Sequence, residues 1–430
     1  MMTSVKISKA SEQDDTSTNP PPAPNPAPIP NKKPPLTSLI SPHDFHLAAL
    51  SSFPPKTLAF VTSAATDSHT HRRNSTYYSH LHLRPRVLIN VSAPVSLSTT
   101  ILGQPVSSPI FAAPTSLGKT VHPLGEVEIA AACSFLDIAQ VISTSASFSL
   151  SEILENPTDH AVFFQLYMDR HRPNSSALLR LIGQTPRIKG VWLTVDAPVM
   201  GKREADERVA IDSSTEQETL SPMSGTRHAK SDAKGGALGR IMGAYVDPSV
   251  SWDEGISFMR RHLPKGAPVV LKGIQTAADA IRAMEAGVEG IVISNHGGRS
   301  LDTSTPTILV LLELQRCCPE VFDRMEVFID GGITRGTDVF KALCLGARAV
   351  GIGRGVLYGL NYGREGVKRY VEILQEELVT TMKMCGVRSL EECHPGLVNT
   401  REVDHLVPLP EEGRGGGHPW AKWRRGGSKL

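Results

Sequence analysis

The clearest pattern along the chain is an alternation of short apolar runs with longer segments whose apolar residues recur every three or four positions. The apolar runs are rich in β-branched residues and end in small or polar residues, which is typical of parallel strands buried on both faces. Eight such runs are predicted to be strands: 109–113, 138–144, 162–167, 190–195, 268–272, 290–294, 326–330 and 347–353. Amphipathic helices are predicted between them at 125–136, 175–182, 277–286, 307–315 and 337–345. Strands that alternate with helices predict an α/β fold, and eight of them favour closure into a (β/α)8 TIM barrel.

The segments that break this alternation define the predicted organisation. Residues 1–36 are rich in Pro, Ser and Asn and are expected to be a disordered tail, since they cannot bury enough apolar surface to offset the entropy of ordering. The barrel is expected to span 37–393, with a weakly helical lead-in. Residues 211–245 are rich in Ser, Gly and charge and interrupt the fourth βα connection, which predicts an inserted lid. Residues 394–430 are expected to form an extended tail.

Composition narrows the possible partners. The net charge of +2 and the aromatic content of 5% give no basis for a nucleic-acid-binding surface. No run reaches the roughly 18 apolar residues of a membrane span. The six cysteines form no C-x-x-C pair, which argues against a zinc site or a disulfide framework, and no metal is expected.

The last three residues match a targeting signal. An exposed terminal Ser428-Lys429-Leu430 is the address that the peroxisomal import receptor reads, so a peroxisomal location is predicted. Residues 1–36 are too short and too polar to form a haem-binding domain ahead of the barrel.

Candidate chemistry lies at the ends of the predicted strands. The carboxyl ends of barrel strands meet at one mouth, where active sites of such barrels lie. A single polar residue at such an end often only caps a loop, but here nearly every strand ends in one. The groups at these ends are Pro114, Thr115, Thr144, Gln165, Tyr167, Thr194, Asp196, Lys272, Ser294, His296, Asp330, Gly353 and Arg354.

The last two strand ends are typical of a phosphate site. Asp330-Gly331-Gly332 allows close approach of the backbone, and Arg354 follows a second glycine turn and offers a bidentate cation. The loops after strands seven and eight are the usual phosphate site of these barrels.

The sharpest motif is SNHGGRSLD at 294–302. His296 at a strand end can act as a base near neutral pH. Arg299, three positions later, can bind a carboxylate with two parallel hydrogen bonds. The two glycines between them allow a tight loop. A lone histidine is more often structural, but this loop comes with Lys272 on a buried strand.

The motif resembles the signature of the FMN-dependent 2-hydroxy-acid oxidase and dehydrogenase family, which includes glycolate oxidase and lactate dehydrogenases. The resemblance runs from about residue 60 to 393. Its other matches are RPR at 84–86, APT at 113–115, FQLY at 164–167, LTVD at 193–196, READ at 203–206, DGG at 330–332 and GTDVFKAL at 336–343. It implies FMN as the cofactor, a small 2-hydroxy acid as the substrate and, as is common in the family, a homotetramer.

The resemblance also implies roles for the substrate-facing residues. His296 would take a proton as the C2 hydrogen leaves for the flavin, and Asp196 would stabilise the imidazolium. Arg203 and Arg299 would hold the substrate carboxylate. Tyr167 would bind the hydroxyl or the developing carbonyl oxygen.

The remaining matches would bind the cofactor. Lys272 would stabilise negative charge on the reduced flavin ring. The residues expected at the isoalloxazine and ribityl are Pro114, Thr115, Ser116, Thr144, Gln165, Thr194 and Ser294. Those expected at the ribityl and phosphate are Asp330, Gly331, Gly332, Thr334, Gly353 and Arg354.

Four positions depart from the family pattern. Phe60 replaces a tyrosine that bonds the substrate carboxylate, and Ala146 replaces a pocket-wall residue that is often aromatic. Ser116 replaces a small apolar residue near the flavin N5, and Thr334 replaces an arginine that contacts the phosphate, which leaves Arg354 as the main cation there. Phe60 and Ala146 together predict a substrate bulkier than glycolate.

Several functions stay open at this level. The leading hypothesis is an oxidase that passes electrons to O2 and makes H2O2, as suits a peroxisomal enzyme. One alternative is a dehydrogenase with another electron acceptor. Another is an oxidase of a secondary-metabolite pathway acting on a non-carboxylate alcohol or a cyclic amine, which retention of Arg203 and Arg299 disfavours. A barrel that binds a ligand without catalysis is disfavoured by Tyr167, Asp196 and His296.

Overall fold

A closed barrel of eight parallel strands forms the centre of the protein, in a computed structural model that describes residues 33–155, 160–209, 223 and 238–410. The barrel strands are β1 (Ile110–Ala112), β2 (Gln140–Ser143), β3 (Val162–Leu166), β4 (Ile188–Thr194), β5 (Val269–Ile274), β6 (Gly290–Ile293), β7 (Glu326–Asp330) and β8 (Ala349–Ile352). Each strand pairs with the next along the chain, and β8 closes the ring on β1 with Val350 opposite Ile110. The predicted (β/α)8 barrel is confirmed, and every predicted run overlaps one of these strands.

The register of the strands determines which side chains fill the interior of the barrel and which lie at its open end. Phe111, Phe163, Trp192 and Phe328 pack inside it, with ring centroids 5.2 Å apart for both Phe111–Trp192 and Trp192–Phe328. Side chains two positions apart on a strand point the same way. The residues two positions further along the same and neighbouring strands are Gln165, Thr194, Lys272 and Asp330. The apolar layer is therefore followed by a polar one at the carboxyl end.

Helices surround the barrel and cover its mouth. They are α1 (Pro42–Ser52), α2 (Pro55–Thr62), α3 (His69–Ser79), α4 (Gly125–Leu136), α5 (Leu150–Ile153), α6 (Arg172–Gly183), α7 (Glu204–Arg208), α8 (Leu238–Gly243), α9 (Trp252–His262), α10 (Ala277–Glu285), α11 (Thr307–Cys317), α12 (Val321–Arg324), α13 (Gly336–Cys344), α14 (Arg354–Leu360) and α15 (Gly363–Met384). The weakly helical lead-in becomes α1 to α3, and the five predicted helices correspond to α4, α6, α10, α11 and α13. Sequence reasoning did not predict the long α15.

Residues 394–410 differ from the extended tail that was expected after Cys393. Val398–Asn399 pairs antiparallel with His82–Leu83, and short 3-10 turns lie on either side of it. Leu397 and Val403 are buried against the barrel, so apolar packing holds this segment down. The packed region therefore extends beyond the predicted boundary at 393.

Some predictions concern residues that the structure does not describe. Most of the predicted tail, the tripeptide at 428–430 that was predicted to be a targeting signal and most of the predicted lid lie outside the described residues. Of the segment that was predicted to form a lid, residues 223 and 238–245 are described, and they include α8. Among the described residues, no helix is both long and apolar enough to cross a membrane. The six cysteines are all free thiols.

Candidate active site

A cavity of about 470 Å³ opens at the carboxyl ends of the barrel strands. Its walls come from most of the strand ends and from α1 to α3, which close one side of the mouth. Most of the predicted site residues line it: Phe60, Pro114, Thr115, Ser116, Gln165, Tyr167, Thr194, Lys272, His296, Arg299, Asp330, Gly331, Gly332, Thr334, Gly353 and Arg354. Most residues that were predicted at the strand ends therefore lie together around one cavity.

Three predicted residues lie behind this wall and support it. Thr144 donates from Oγ1 to the carbonyl of Gln165 at 2.6 Å. Ser294 donates from Oγ to Asp330 Oδ1 at 2.6 Å and receives a bond from Lys272 Nζ at 3.0 Å. Asp196 is completely buried beneath His296. Thr144 and Ser294 therefore bond residues that line the cavity rather than lining it themselves.

Ala146 does not line the cavity. Its backbone N–H donates to the carbonyl of Ser143 in the turn after β2, and its methyl group is completely buried in the hydrophobic core. A small residue here consequently adds no space at the described cavity wall, and the expected widening of the substrate pocket cannot rest on it.

His296 lies at the centre of a three-residue hydrogen-bonded group. Its Nδ1 is 2.9 Å from Asp196 Oδ1, and its Nε2 is 3.3 Å from the hydroxyl oxygen of Tyr167. The backbone of His296 is left-handed, with φ of 58°, and Gly297 and Gly298 continue the turn with φ of 62° and 75°. This tight turn presents the imidazole to the cavity after β6.

The charges around His296 determine its protonation. Burial lowers the pKa of His296 and outweighs Asp196, which acts to raise it. Burial alone would raise the pKa of Asp196, but His296 and Lys272 outweigh it, so the carboxylate stays ionised. Since an ionised Asp196 accepts the Nδ1 proton, the lone pair of the neutral imidazole lies on Nε2. Burial raises the pKa of Tyr167, so its hydroxyl stays protonated and can donate to that lone pair.

Lys272 provides a buried cation at the base of the cavity. Its Nζ is 3.3 Å from Asp330 Oδ2. Burial acts to lower the pKa of Lys272, but the carboxylates of Asp330 and Asp196 outweigh it and raise the pKa, so the ammonium group is charged. A fixed positive charge here favours an anionic ligand.

Arg299 and Arg203 form a second positive region. Arg299 donates from Nη1 to the carbonyls of Val61 and Ser63 at 3.2 and 2.8 Å, and its Cζ lies 5.3 Å from the centre of the Phe60 ring. Burial and the neighbouring Arg203 lower the pKa of Arg299. Among the described residues, neither guanidinium forms an ion pair with a carboxylate, and the site suits a bound anion.

Arg203, which was predicted to bind the substrate, lies behind the cavity wall. It is 6% exposed and does not line the cavity, and its Nε is 3.5 Å from the carbonyl of Arg299. α8 covers it, since a Cβ placed on Gly239 would come within 2.8 Å of Arg203 Nη1. Arg203 therefore contributes charge from behind the loop that carries Arg299.

The glycine turn after β7 forms another part of the cavity wall. Gly331 and Gly332 have φ of 95° and 81°, and a Cβ on Gly332 would overlap the backbone of Asn74 in α3. Thr334 uses its N–H and hydroxyl to bond Asp338 Oδ2 at 3.0 and 3.3 Å. Arg354 enters this region from the first residue of α14.

These residues fit FMN in size and in chemistry. The cavity volume is within the range of about 300–1,000 Å³ that is usual for cofactor sites. The buried ammonium of Lys272, the glycine turn at 331–332 and Arg354 all line the cavity, and they suit a ligand with a polar ring and an anionic tail. Gln165 Nε2 donates to Thr194 Oγ1 at 3.0 Å, which fixes two more polar groups along the wall.

Fold and site together define a barrel oxidoreductase with a flavin mononucleotide site. The chain belongs to the FMN-dependent dehydrogenase family, whose model matches residues 49–400. This confirms the resemblance drawn from the sequence motifs, and FMN is the cofactor of the family.

Known relatives include both oxidases and dehydrogenases. The chain is 39% identical over 377 residues to the peroxisomal (S)-2-hydroxy-acid oxidase GLO4 of Oryza sativa subsp. japonica, covering 86% of this chain and 98% of the relative. It is 36% identical to the L-lactate dehydrogenase (cytochrome) of Wickerhamomyces anomalus, covering 89% of this chain but 65% of that relative's length.

Two solved structures share the fold. The recombinant flavin-binding domain of baker's yeast flavocytochrome b2 aligns with a TM-score of 0.75 at 34% identity, covering 92% of this chain and 94% of that one. Mandelate oxidase with (S)-4-hydroxymandelic acid aligns with a TM-score of 0.76 at 31% identity, covering 84% and 98%.

Three site residues escaped sequence reasoning. Asn74 forms a reciprocal amide pair with Asn295, with both bonds 2.8 Å long, and so fixes the histidine loop to α3. Tyr245 bonds Ser145 at 3.0 Å beside Tyr167. His71 lines the cavity and contacts Arg354. All three lie outside the predicted strand ends, so no local pattern marked them.

Proposed function

We propose that this protein oxidises a 2-hydroxy acid to the 2-oxo acid and that O2 reoxidises the reduced cofactor to give H2O2. The FMN-dependent oxidation of 2-hydroxy acids is supported by family membership, and the electron acceptor is the proposed part. The observation that carries the chemistry is the placement of His296 between Asp196 and Tyr167 in a cavity that Arg299 also lines. FMN, when bound, supplies the acceptor for the two electrons that leave C2 of the substrate.

The residues of the chain divide the remaining work. Arg299 binds the substrate carboxylate, with Arg203 adding positive charge from behind. Tyr167 donates to the substrate oxygen on C2. His296 accepts a proton at Nε2, and the buried carboxylate of Asp196 stabilises the imidazolium that results. Lys272 supplies positive charge that favours electron transfer into the cofactor.

We propose that the substrate is larger and more apolar than glycolate. Phe60 is 4% exposed and places an aromatic ring against Arg299, where the family pattern implies a hydroxyl. A ring contributes apolar contact but no hydrogen bond to a carboxylate, so small polar acids gain less from it. The likeness to mandelate oxidase, solved with an aromatic 2-hydroxy acid, is in keeping with this.

Peroxisomal import through Ser428-Lys429-Leu430 is part of the proposal. It would place a peroxide-forming enzyme in the compartment that degrades peroxide. The rice relative is named as a peroxisomal oxidase and spans nearly the same length as the matched region. A homotetramer, as the resemblance implies, also stays a proposal.

The test is a substrate and acceptor screen on the purified full-length protein. Anaerobic addition of 2-hydroxy acids of increasing size should bleach the flavin absorbance, fastest for an apolar acid larger than glycolate. Admission of air should restore the absorbance and yield one H2O2 per turnover. Fastest reduction by glycolate would contradict the proposed substrate size.

A dehydrogenase with another electron acceptor is the second candidate. The relatives named L-lactate dehydrogenase (cytochrome), at 36% and 37% identity, favour it. In the same experiment, this function predicts rapid reduction of the flavin by substrate but slow reoxidation by air, with fast turnover on cytochrome c or an artificial dye. An oxidase of a secondary-metabolite pathway would instead leave the flavin oxidised with every 2-hydroxy acid tested.

A further inference from the structure

The side chain of Arg354 is already engaged by the protein. It donates from Nε to the carbonyl of Val61 at 3.2 Å, from Nη1 to that of Gly297 at 3.0 Å and from Nη2 to that of Ser63 at 3.1 Å. Its Nη1 is also 3.1 Å from Nδ1 of His71. These bonds use most of its five N–H groups. Arg354 therefore has little donor capacity left for a phosphate.

The other side chains near the glycine turn do not replace it. Thr334 bonds Asp338, and Arg335 pairs with Glu377 at 3.3 Å. The resemblance places Thr334 where the family has a phosphate-binding arginine, so a further side-chain donor near this turn has to come from another element of the chain.

His71 is placed to be that donor. It shares one face of α3 with Asn74 and Ser75, three and four positions later, and this face packs on the 331–332 turn. A Cβ on Gly298 would lie 2.6 Å from the backbone nitrogen of His71, so the residue sits between the two glycine turns of the cavity. His71 and Ser75 both line the cavity.

The contact with Arg354 fixes the tautomer of His71. A guanidinium only donates, so Nδ1 of His71 must be the acceptor and the ring proton must lie on Nε2. Burial, followed by the charges of Arg354 and Arg299, lowers the pKa of His71 to about 3, and the ring is neutral at pH 7. In the part of the chain that the structure describes, no hydrogen-bond partner is found for Nε2.

We propose that His71 binds the FMN phosphate, donating from Nε2 while Arg354 holds the ring through Nδ1. Because Arg354 donates to Nδ1, it polarises the ring and makes the Nε2 proton a stronger hydrogen-bond donor to the phosphate. This bond would replace the contact of the arginine that the family has at the position of Thr334. This inference requires FMN as the cofactor and is independent of the substrate and of the electron acceptor.

The test compares FMN with riboflavin, which lacks the phosphate. Apoprotein of the full chain is titrated with each ligand, and binding is followed by the quenching of flavin fluorescence. His71→Ala should weaken FMN binding roughly 10- to 100-fold, as expected for loss of a hydrogen bond to a charged group. Riboflavin binding should stay the same. His69→Ala removes an exposed imidazole from the same helix and should change neither affinity.

Two further variants test whether the loss comes from the hydrogen-bond donor. His71→Asn retains an N–H donor and should preserve more of the FMN affinity than His71→Ala. Adding Thr334→Arg to His71→Ala restores a cation at the phosphate end and should recover FMN affinity without affecting riboflavin. Equal loss of FMN and riboflavin binding in His71→Ala, or no loss of either, would overturn the proposal, as would the absence of recovery by Thr334→Arg. A wild-type protein that binds neither flavin would instead reject the flavin site as a whole.

Discussion

Arg299 and Arg354 donate to the same two backbone carbonyl oxygens, those of Val61 and Ser63. These carbonyls lie at the carboxyl end of α2, where the helix dipole is negative. The helix end therefore offsets the repulsion between two partly buried guanidinium groups. It also ties these two cavity-lining arginines to one element of the lead-in.

The role of His296 predicts a specific loss. His296→Asn should lower the rate of anaerobic flavin reduction by roughly 10²- to 10⁴-fold, because the proton acceptor is removed. Bound FMN per protein should be unchanged, since no cofactor contact is assigned to the imidazole. Stopped-flow absorbance and the flavin-to-protein ratio measure the two quantities. A variant that keeps its reduction rate would exclude His296 as the base.

The pKa shifts of the histidine pair predict a pH profile. His296 must be neutral to accept a proton, and its pKa is lowered, so kcat/KM should fall only at pH values below the ordinary histidine pKa of about 6.5. Asp196→Asn removes the charge that raises this pKa. The acid limb should therefore move to still lower pH while kcat decreases. Asp323→Asn, which alters an exposed carboxylate on α12, should reproduce the wild-type profile. An acid limb that moves upward in Asp196→Asn would contradict the assigned coupling.

Phe60 predicts a gain of function for small substrates. Phe60→Tyr adds a hydroxyl beside Arg299, and a hydrogen bond to a charged carboxylate contributes roughly 1.5–3 kcal/mol. The KM for glycolate should fall by about tenfold or more, with a smaller effect on large apolar acids. Steady-state kinetics with both classes measure the difference. If KM falls equally for both, Phe60 does not set substrate size.

The buried pair of Lys272 and Asp330 predicts a stability effect. Lys272→Met leaves the Asp330 carboxylate buried without its cation, which should lower the free energy of unfolding by roughly 3–5 kcal/mol. Urea denaturation of the FMN-free protein measures this loss. Addition of Asp330→Asn should recover part of it, because the unpaired charge is removed. A loss as large in the double variant as in Lys272→Met would show that the ion pair is not the cause.

The sequence by itself determined the barrel and most of the site. Strands buried on both faces give continuous apolar runs, and residues at or just after the ends of most of these runs lie at the mouth of the barrel. Lys272, His296 and Asp330 could therefore be assigned from strand ends, and the SNHGGRSLD motif added Arg299.

Only the tertiary structure decided how α1 to α3, the helices ahead of the barrel, contribute to the site. Asn74 bonds Asn295, 221 positions away, and Val61 receives Arg354, 293 positions away. The commitment of Arg354 to backbone carbonyls and the burial of Ala146 likewise follow from the packing of separate elements. Local periodicity reports which face of an element is apolar, but it contains no information on which distant element covers that face, because such contacts form only when the chain closes on itself.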